Sequence, residues 1–347
     1  MAKLRARLRV GALCLLAAIA GAHGAVAADG STIAGLSRAL AMAEGRSGAA
    51  SPHLLPLLER LAGAQVDGGA LTDATTSRRR ALKIAVAAYG SASPNAANAM
   101  VALADLDILQ HRYLDAEPLL IVASDVLATR LGADNPAVAA PLAALARIAL
   151  ARGEVSLAET RASQANAIAL RSPAMRSSEP LRALGAVYAV EQRFTEGEQV
   201  LKTALARDRK AGETSLETAR SLAQLANLLL RAQRFDEALP LIEQAIAVDQ
   251  SRLGSTHPQI ADDFADLGLV YAGLGRDSEA AQALTYAVEL LNRGAGKDTS
   301  RVAYAELELA NILRRLGQTD DAAAAFKDAK RILDDDAEDE RIRERQI

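Results

Sequence analysis

A small residue recurs seven times along this chain, at nearly constant spacing and always in the same helical pattern. Successive copies of this residue, called anchors here, are 39 to 42 residues apart. The seven anchors are Ala74, Ala116, Ala158, Gly197, Ala238, Ala280 and Ala322. A period of this length is typical of stacked supersecondary units, each packing only on its neighbours. The spacing therefore predicts a repeat array and makes a single globular core a poor description.

Three further positions keep the same frame around every anchor. A second small residue stands twelve residues before it, a leucine directly precedes that small residue, and an alanine follows the anchor by seven residues. The small residues are Ala62, Ala104, Ala146, Gly185, Ala226, Gly268 and Ala310, and the alanines are Ala81, Ala123, Ala165, Ala204, Ala245, Ala287 and Ala329. A spacing of seven places anchor and alanine on one helix face. The gap of twelve spans a turn, so each unit is predicted to be two closely packed helices.

This frame resembles the tetratricopeptide repeat, in which the first small residue, the anchor and the later alanine are the signature positions. Tyr188, Tyr271 and Phe326 match aromatic positions of that family. The long period is similar to that of kinesin light chain repeats, whose units open with a proline, here Pro52, Pro94, Pro136 and Pro258. The resemblance covers residues 52–333. It implies an all-α fold, a right-handed α-solenoid (superhelix) of about seven helix-turn-helix repeats.

The two ends of the chain differ from this array. Residues 1–28 combine a basic start, an apolar run over 10–22 and the small-residue motif Ala25-Val26-Ala27, which together predict a secretory signal peptide. Residues 29–51 hold an amphipathic helix predicted to cap the first repeat. Residues 334–347 form a charged C-terminal tail. The sole cysteine, Cys14, lies in the predicted signal. The mature chain is therefore expected in the periplasm or outside the cell.

Charge and motifs argue against several classes of function. Removing the four positive charges of residues 1–28 changes the net charge from −3 to −7, which disfavours a nucleic-acid partner. No later segment is long and apolar enough to insert in a membrane. His53, His111 and His257 lie at turns or helix starts of separate units, without the spacing of a helical zinc site. Phosphate-loop and nucleophile-elbow motifs are missing. The chain is predicted not to be an enzyme, and no cofactor or metal is expected.

Binding of a protein or peptide is the better-supported function. The resemblance implies that first helices line a concave groove, and that the residue after the first small position points into it. Arginine can hold a carboxylate with two hydrogen bonds, and asparagine can bond a peptide backbone. Side chains expected in this groove, outside the interhelix core, are Arg147, Arg182, Asn227, Arg231, Asn311 and Arg315.

The chain is thus interpreted as a scaffold or adaptor of the bacterial cell envelope, holding a segment that bears carboxylates. Two alternatives stay open. One is a structural subunit that associates with itself through its terminal helices. The other is an accessory protein that regulates an envelope enzyme complex.

Overall fold

The computed structural model describes residues 30–172, 175, 177–257, 259–293 and 299–344. The predicted signal peptide, Cys14 and Pro258 lie outside these residues. The described part of the chain contains fifteen α-helices and no strand. The first eight are α1 (Gly30–Ser47), α2 (Leu55–Asp67), α3 (Leu71–Tyr89), α4 (Pro94–Leu109), α5 (Tyr113–Leu131), α6 (Pro136–Ala151), α7 (Val155–Arg171) and α8 (Glu179–Val190). The others are α9 (Phe194–Ala211), α10 (Leu216–Arg231), α11 (Phe235–Leu253), α12 (Ile260–Gly273), α13 (Asp277–Arg293), α14 (Thr299–Arg315) and α15 (Thr319–Glu344).

Helices α2 to α15 form seven helix-turn-helix pairs, so the all-α repeat architecture predicted from the anchors is confirmed. A 3-10 turn, Pro52–Leu54, precedes α2. Each pair opens with a first helix, which carries the leucine and the first small residue, and closes with a second helix, which carries the anchor. No helix of the described residues is both long and apolar enough to cross a membrane.

All four frame positions are buried in all seven pairs. The small residues allow close helix contact, and this is clearest at Gly185 in α8. A Cβ added there would lie 2.5 Å from Leu201 of α9, which is itself buried. Gly268 in α12 meets Leu284 of α13 in the same way, at 2.7 Å. The frame therefore marks the contact between the two helices of a pair, as the sequence predicted.

The turn inside every pair has one residue with a left-handed backbone, five positions before the anchor. Gly69, Gly153, Gly275 and Gly317 fill four of the seven turns, with φ near 75°. The remaining turns use His111, Gln192 and Gln233, with φ of 54°, 60° and 59°. Left-handed backbone is natural for glycine and costs other residues about 1 kcal/mol.

The chain divides into two compact units, with the boundary between Gln224 and Leu225 inside α10. In the N-terminal unit, consecutive helices from α1 through α9 pack against each other. In the C-terminal unit, consecutive helices from α11 through α15 pack against each other. Leu36 and Leu40 of α1 pack against Leu54, Leu58 and Leu61. Helix α1 therefore covers apolar surface of the first pair.

Candidate functional site

First helices of neighbouring pairs touch one another, which makes their outer faces continuous. In the N-terminal unit α4 contacts α6, and α6 contacts α8. In the C-terminal unit α12 contacts α14. A side chain on one first helix therefore lies beside side chains of the next pair, and polar residues from different repeats meet.

The N-terminal charged surface consists of Asp105, Arg147, Glu179 and Arg220, from α4, α6, α8 and α10. The Arg147 Nη1 donates to Glu179 Oε1 at 3.0 Å. Partial burial alone would raise the pKa of Glu179, but Arg147 and Arg182 outweigh it and lower the pKa to about 2. Asp105 reaches solvent, yet desolvation by the surrounding protein raises its pKa to about 6 against the pull of Arg147. The predicted groove residue Arg147 is thus already paired with a carboxylate of the chain.

Arg182 does not lie where the sequence placed it. Its side chain was expected outside the interhelix core, but the residue is 2% exposed. It donates to Glu179 Oε2 at 2.7 Å and to Asp208 Oδ2 at 3.0 Å, and it also pairs with Glu217. The hydroxyl of Ser221 donates to the same Asp208 oxygen at 2.6 Å. A charge buried among three carboxylates is satisfied internally, so Arg182 links α8, α9 and α10 and offers no free face to a ligand.

The C-terminal polar surface is formed by Asn227, Arg231, Asp266, Tyr304 and Glu308. Asn227 Nδ2 donates to Asp266 Oδ2 at 2.8 Å, and Arg231 Nε donates to Asn227 Oδ1 at 3.1 Å. Desolvation raises the pKa of Asp266 to about 6, with the Asn227 hydrogen bond opposing it. Desolvation also raises the pKa of Tyr304, and Glu308 and Asp266 add to that effect. Carboxylates, an aromatic ring and an amide thus converge on one surface.

Asn311 and Arg315 continue the same face of α14, one and two turns beyond Glu308. Both are exposed. Arg315 forms an ion pair with Asp277 at the start of α13, and its Nη2 donates to the Ala272 carbonyl at 3.0 Å. Asn311 makes no hydrogen bond to another described residue. Of these two predicted site residues, Asn311 is therefore the one with its side chain available.

Several residues of these surfaces were missed from the sequence. The prediction used the position after the first small residue, the position one turn later and, in the fourth unit alone, the position one turn earlier. Asp266 and Glu308 lie three residues before that position, and Glu179 and Tyr304 lie seven before it. Spacings of three and seven share a helix face, so extending the search towards the helix start would have found them.

Comparison with family models identifies the repeat. A tetratricopeptide repeat model matches residues 177–251 and 222–293. A comparison with curated proteins finds no match. Among solved structures, a Rap protein complexed with Competence and Sporulation Factor is similar at 14% identity and a TM-score of 0.59, covering 82% of this chain and 79% of that one.

Two other solved structures are similar. The APC/C hetero-tetramer Cut9-Hcn1 has 13% identity and a TM-score of 0.58, covering 80% of this chain and 46% of that one. A putative kinesin light chain from Podospora anserina has 22% identity and a TM-score of 0.41, covering 58% of this chain and 97% of that one. Identities at this level show the fold alone. Residues 177–293 therefore carry tetratricopeptide repeats, and the same frame is buried in all seven helix pairs of the described chain.

Proposed function

We propose that this chain is a non-enzymatic scaffold or adaptor that holds an extended segment of a protein partner along its first helices. Tetratricopeptide repeat proteins generally mediate protein–protein interaction and are typically not catalytic. The Rap protein of similar fold was solved with Competence and Sporulation Factor. These two findings support a protein partner. The location of the binding site is argued from the residues of this chain.

The C-terminal polar surface is the observation that carries the proposal. Tyr304 is 53% exposed, although it is a large and partly apolar side chain. Beside it on α14, Glu308 makes no ion pair with a described residue, and Asn311 is exposed. An exposed tyrosine offers contact area at low entropic cost, and asparagine can bond both groups of a peptide unit. Such a mixture suits a peptide segment better than a small apolar ligand.

The expected charge of the partner depends on which arginine side chains are already paired with carboxylates of this chain. Arg147 and Arg315 pair with Glu179 and Asp277. A carboxylate of the partner would have to compete with those internal partners. Arg231 donates through Nε to the neutral Asn227, and its Nη atoms bond no other described residue. We therefore assign the expected contact with a partner carboxylate to Arg231, and backbone contacts to Asn227 and Asn311.

The proposed location is the bacterial cell envelope, in the periplasm or outside the cell. It rests on the basic start, apolar run and small-residue motif of residues 1–28. N-terminal sequencing of the protein isolated from its native host tests it. A mature chain that begins near Asp29 is expected, and a chain that begins at Met1 would contradict export with cleavage.

A displayed peptide library tests the binding surface. Peptides are selected on the purified chain, and their affinity is measured by fluorescence anisotropy with the wild type and with Asn227→Ala/Arg231→Ala. Each lost contact is expected to cost about 1–2 kcal/mol, so binding should weaken about thirty-fold to a thousand-fold for the pair. Circular dichroism should show unchanged helicity, because neither side chain is buried.

Arg171→Ala is the matched control for this experiment. Arg171 is an exposed arginine on a second helix, paired with the exposed Asp134. The variant should bind selected peptides as the wild type does. If the double variant binds normally while keeping its helicity, the site does not lie on the C-terminal polar surface.

A further inference from the structure

Asp266 is bonded to the side chains that are expected to contact the partner on the C-terminal polar surface. Its Oδ2 accepts a hydrogen bond of 2.8 Å from Asn227 Nδ2, while Asn227 Oδ1 accepts from Arg231 Nε at 3.1 Å. A carboxylate only accepts and a guanidinium only donates, so these two bonds fix the orientation of the amide. Asp266 therefore has a neutral amide as its hydrogen-bond partner, and it forms no ion pair with a described residue.

The negative charge of Asp266 is poorly stabilised in this position. Glu179, on the N-terminal charged surface, is paired with Arg147 and Arg182, and these arginines lower its pKa to about 2. Asp266 has an amide where Glu179 has arginines, and desolvation raises the pKa of Asp266 to about 6. The hydrogen bond from Asn227 and the charge of Arg231 oppose this rise. A small change in the surroundings of Asp266 is thus enough to change its charge near neutral pH.

Charged and titratable groups reach this region from four helices. They are Arg231 of α10, Asp249 of α11, Asp262 and Asp263 of α12, and Arg301, Tyr304 and Glu308 of α14. Asp262 is already paired with Arg301, whose Nε donates to it at 2.9 Å. Asp263 is buried and hydrogen-bonded to Asp249. Among the described carboxylates, Asp266 is therefore the one bonded directly to a side chain expected to hold the partner.

We propose that binding of the partner segment to the C-terminal polar surface takes up a proton at Asp266, so that affinity rises as the pH falls. This rests on the proposed function, because it requires a partner carboxylate on Arg231. Bound there, the carboxylate adds a negative charge near Asp266 and offsets the attraction of Arg231, and the covering segment removes water. All three changes favour the neutral carboxyl group. The bond from Asn227 is kept, since a protonated carboxyl group still has an oxygen that accepts.

The direction of the pH effect follows from the two protonation equilibria. The pKa of Asp266 is about 6 in the free chain, and the bound partner raises it further. Affinity is therefore greatest below about pH 6, where Asp266 is protonated in both states, and it falls as the pH rises through the pKa of the complex. A rise of one pKa unit on binding corresponds to a ten-fold change, so a loss of about five- to ten-fold is expected between about pH 5 and about pH 8.

Fluorescence anisotropy with selected acidic peptides that contain no histidine tests this pH dependence. Asp266→Asn keeps an oxygen that accepts from Asn227 but cannot ionise. At about pH 8 this variant should bind about as tightly as the wild type does at about pH 5, with little further change on acidification. If Asp266 has only a structural role, the variant will bind more weakly than the wild type at every pH, and that result would overturn the proposal.

Isothermal titration calorimetry in buffers of different ionisation enthalpy counts the protons directly. Near the pKa of Asp266, binding should take up a fraction of a proton with the wild type and almost none with Asp266→Asn. Asp134→Asn is the matched control, since Asp134 is an exposed aspartate that precedes α6, and it should keep the wild-type uptake. Uptake that persists in Asp266→Asn would have its origin in another group, such as His257, and would contradict the proposal.

Two outcomes distinguish this proposal from the proposed function. Peptides that bind through Asn227 and Arg231 with an affinity independent of pH would refute proton uptake at Asp266 and leave the binding surface in place. Binding that is unchanged in Asn227→Ala/Arg231→Ala would refute the binding surface, and proton uptake at Asp266 with it.

Discussion

Replacing Gly185 by alanine sets two effects of known size against each other. Alanine is the better helix former by about 1 kcal/mol, so the substitution in α8 would stabilise an isolated helix. The new Cβ, however, would lie 2.5 Å from the Cγ and Cδ2 atoms of Leu201. Leu201 is 1% exposed, so it can move away only against other buried atoms. Overpacking of this kind costs about 1–3 kcal/mol, so a net loss of unfolding free energy is expected.

A double-mutant cycle isolates the clash. Leu201→Ala alone should cost about 2–5 kcal/mol, because it leaves a cavity between α8 and α9. In the Gly185→Ala background the same truncation should cost less, since the added methyl group fills part of that cavity. The third pair already combines two alanines at the equivalent positions, Ala146 and Ala162, both fully buried. Urea unfolding followed by circular dichroism measures all four free energies.

Gly63→Ala is the control that separates packing from helix propensity. Gly63 lies inside α2, and a Cβ added there would have no atom within 4 Å. This variant should be more stable by about 0.5–1 kcal/mol. If Gly185→Ala is stabilised as much as Gly63→Ala, the close approach of α8 and α9 does not determine the residue at this position.

Three further predictions follow from the turns, the carboxylates and the core. Gln233→Gly should raise the unfolding free energy by about 1 kcal/mol in urea titrations, because it relieves a left-handed glutamine, and Gly317→Gln should lower it by a similar amount. Because the pKa of Asp266 is raised to about 6 in the folded chain, the unfolding free energy should fall as the pH rises from about 4 to about 6. Asp266→Asn should make this fall shallower. An unchanged slope in the variant would show that Asp266 is not the cause of the pH dependence. Leu145→Ala should cost about 2–5 kcal/mol and loosen α4 to α7 before α1 in hydrogen exchange, whereas uniform loss would contradict nearest-neighbour packing.

The fold could be predicted because the same four-position packing frame occurs in all seven repeats. Each small residue and each leucine of the frame is buried, and the turns fall between them where the glycines suggested. The turns at His111, Gln192 and Gln233 carry no glycine, so there the period, and not local chemistry, located the turn.

The candidate site was less accessible to sequence reasoning. Arg182 was assigned to the groove because it lies one turn before a groove position. The four-position frame does not include Asp208, which lies eleven residues after its anchor, where most other pairs have an apolar residue. The ion pair with this buried carboxylate holds Arg182 in the core. Asp208 was the available signal, since Leu127 and Leu291 occupy the same place in other repeats. Ion pairs such as Arg147 with Glu179 join residues of different repeats, and a pattern within one repeat does not contain them.

Site-specific photo-crosslinking tests the central claim most directly, namely that the partner lies along the first helices. A photoreactive benzoylphenylalanine is placed at Tyr304 on α14 or at Leu114 on α5, and each variant is irradiated with a selected peptide or with the native partner. Both positions are well exposed, so exposure alone does not favour either. The account predicts a covalent adduct from position 304 and little or none from position 114. Adducts mainly from position 114, with none from position 304, would place binding on the second helices and contradict the claim.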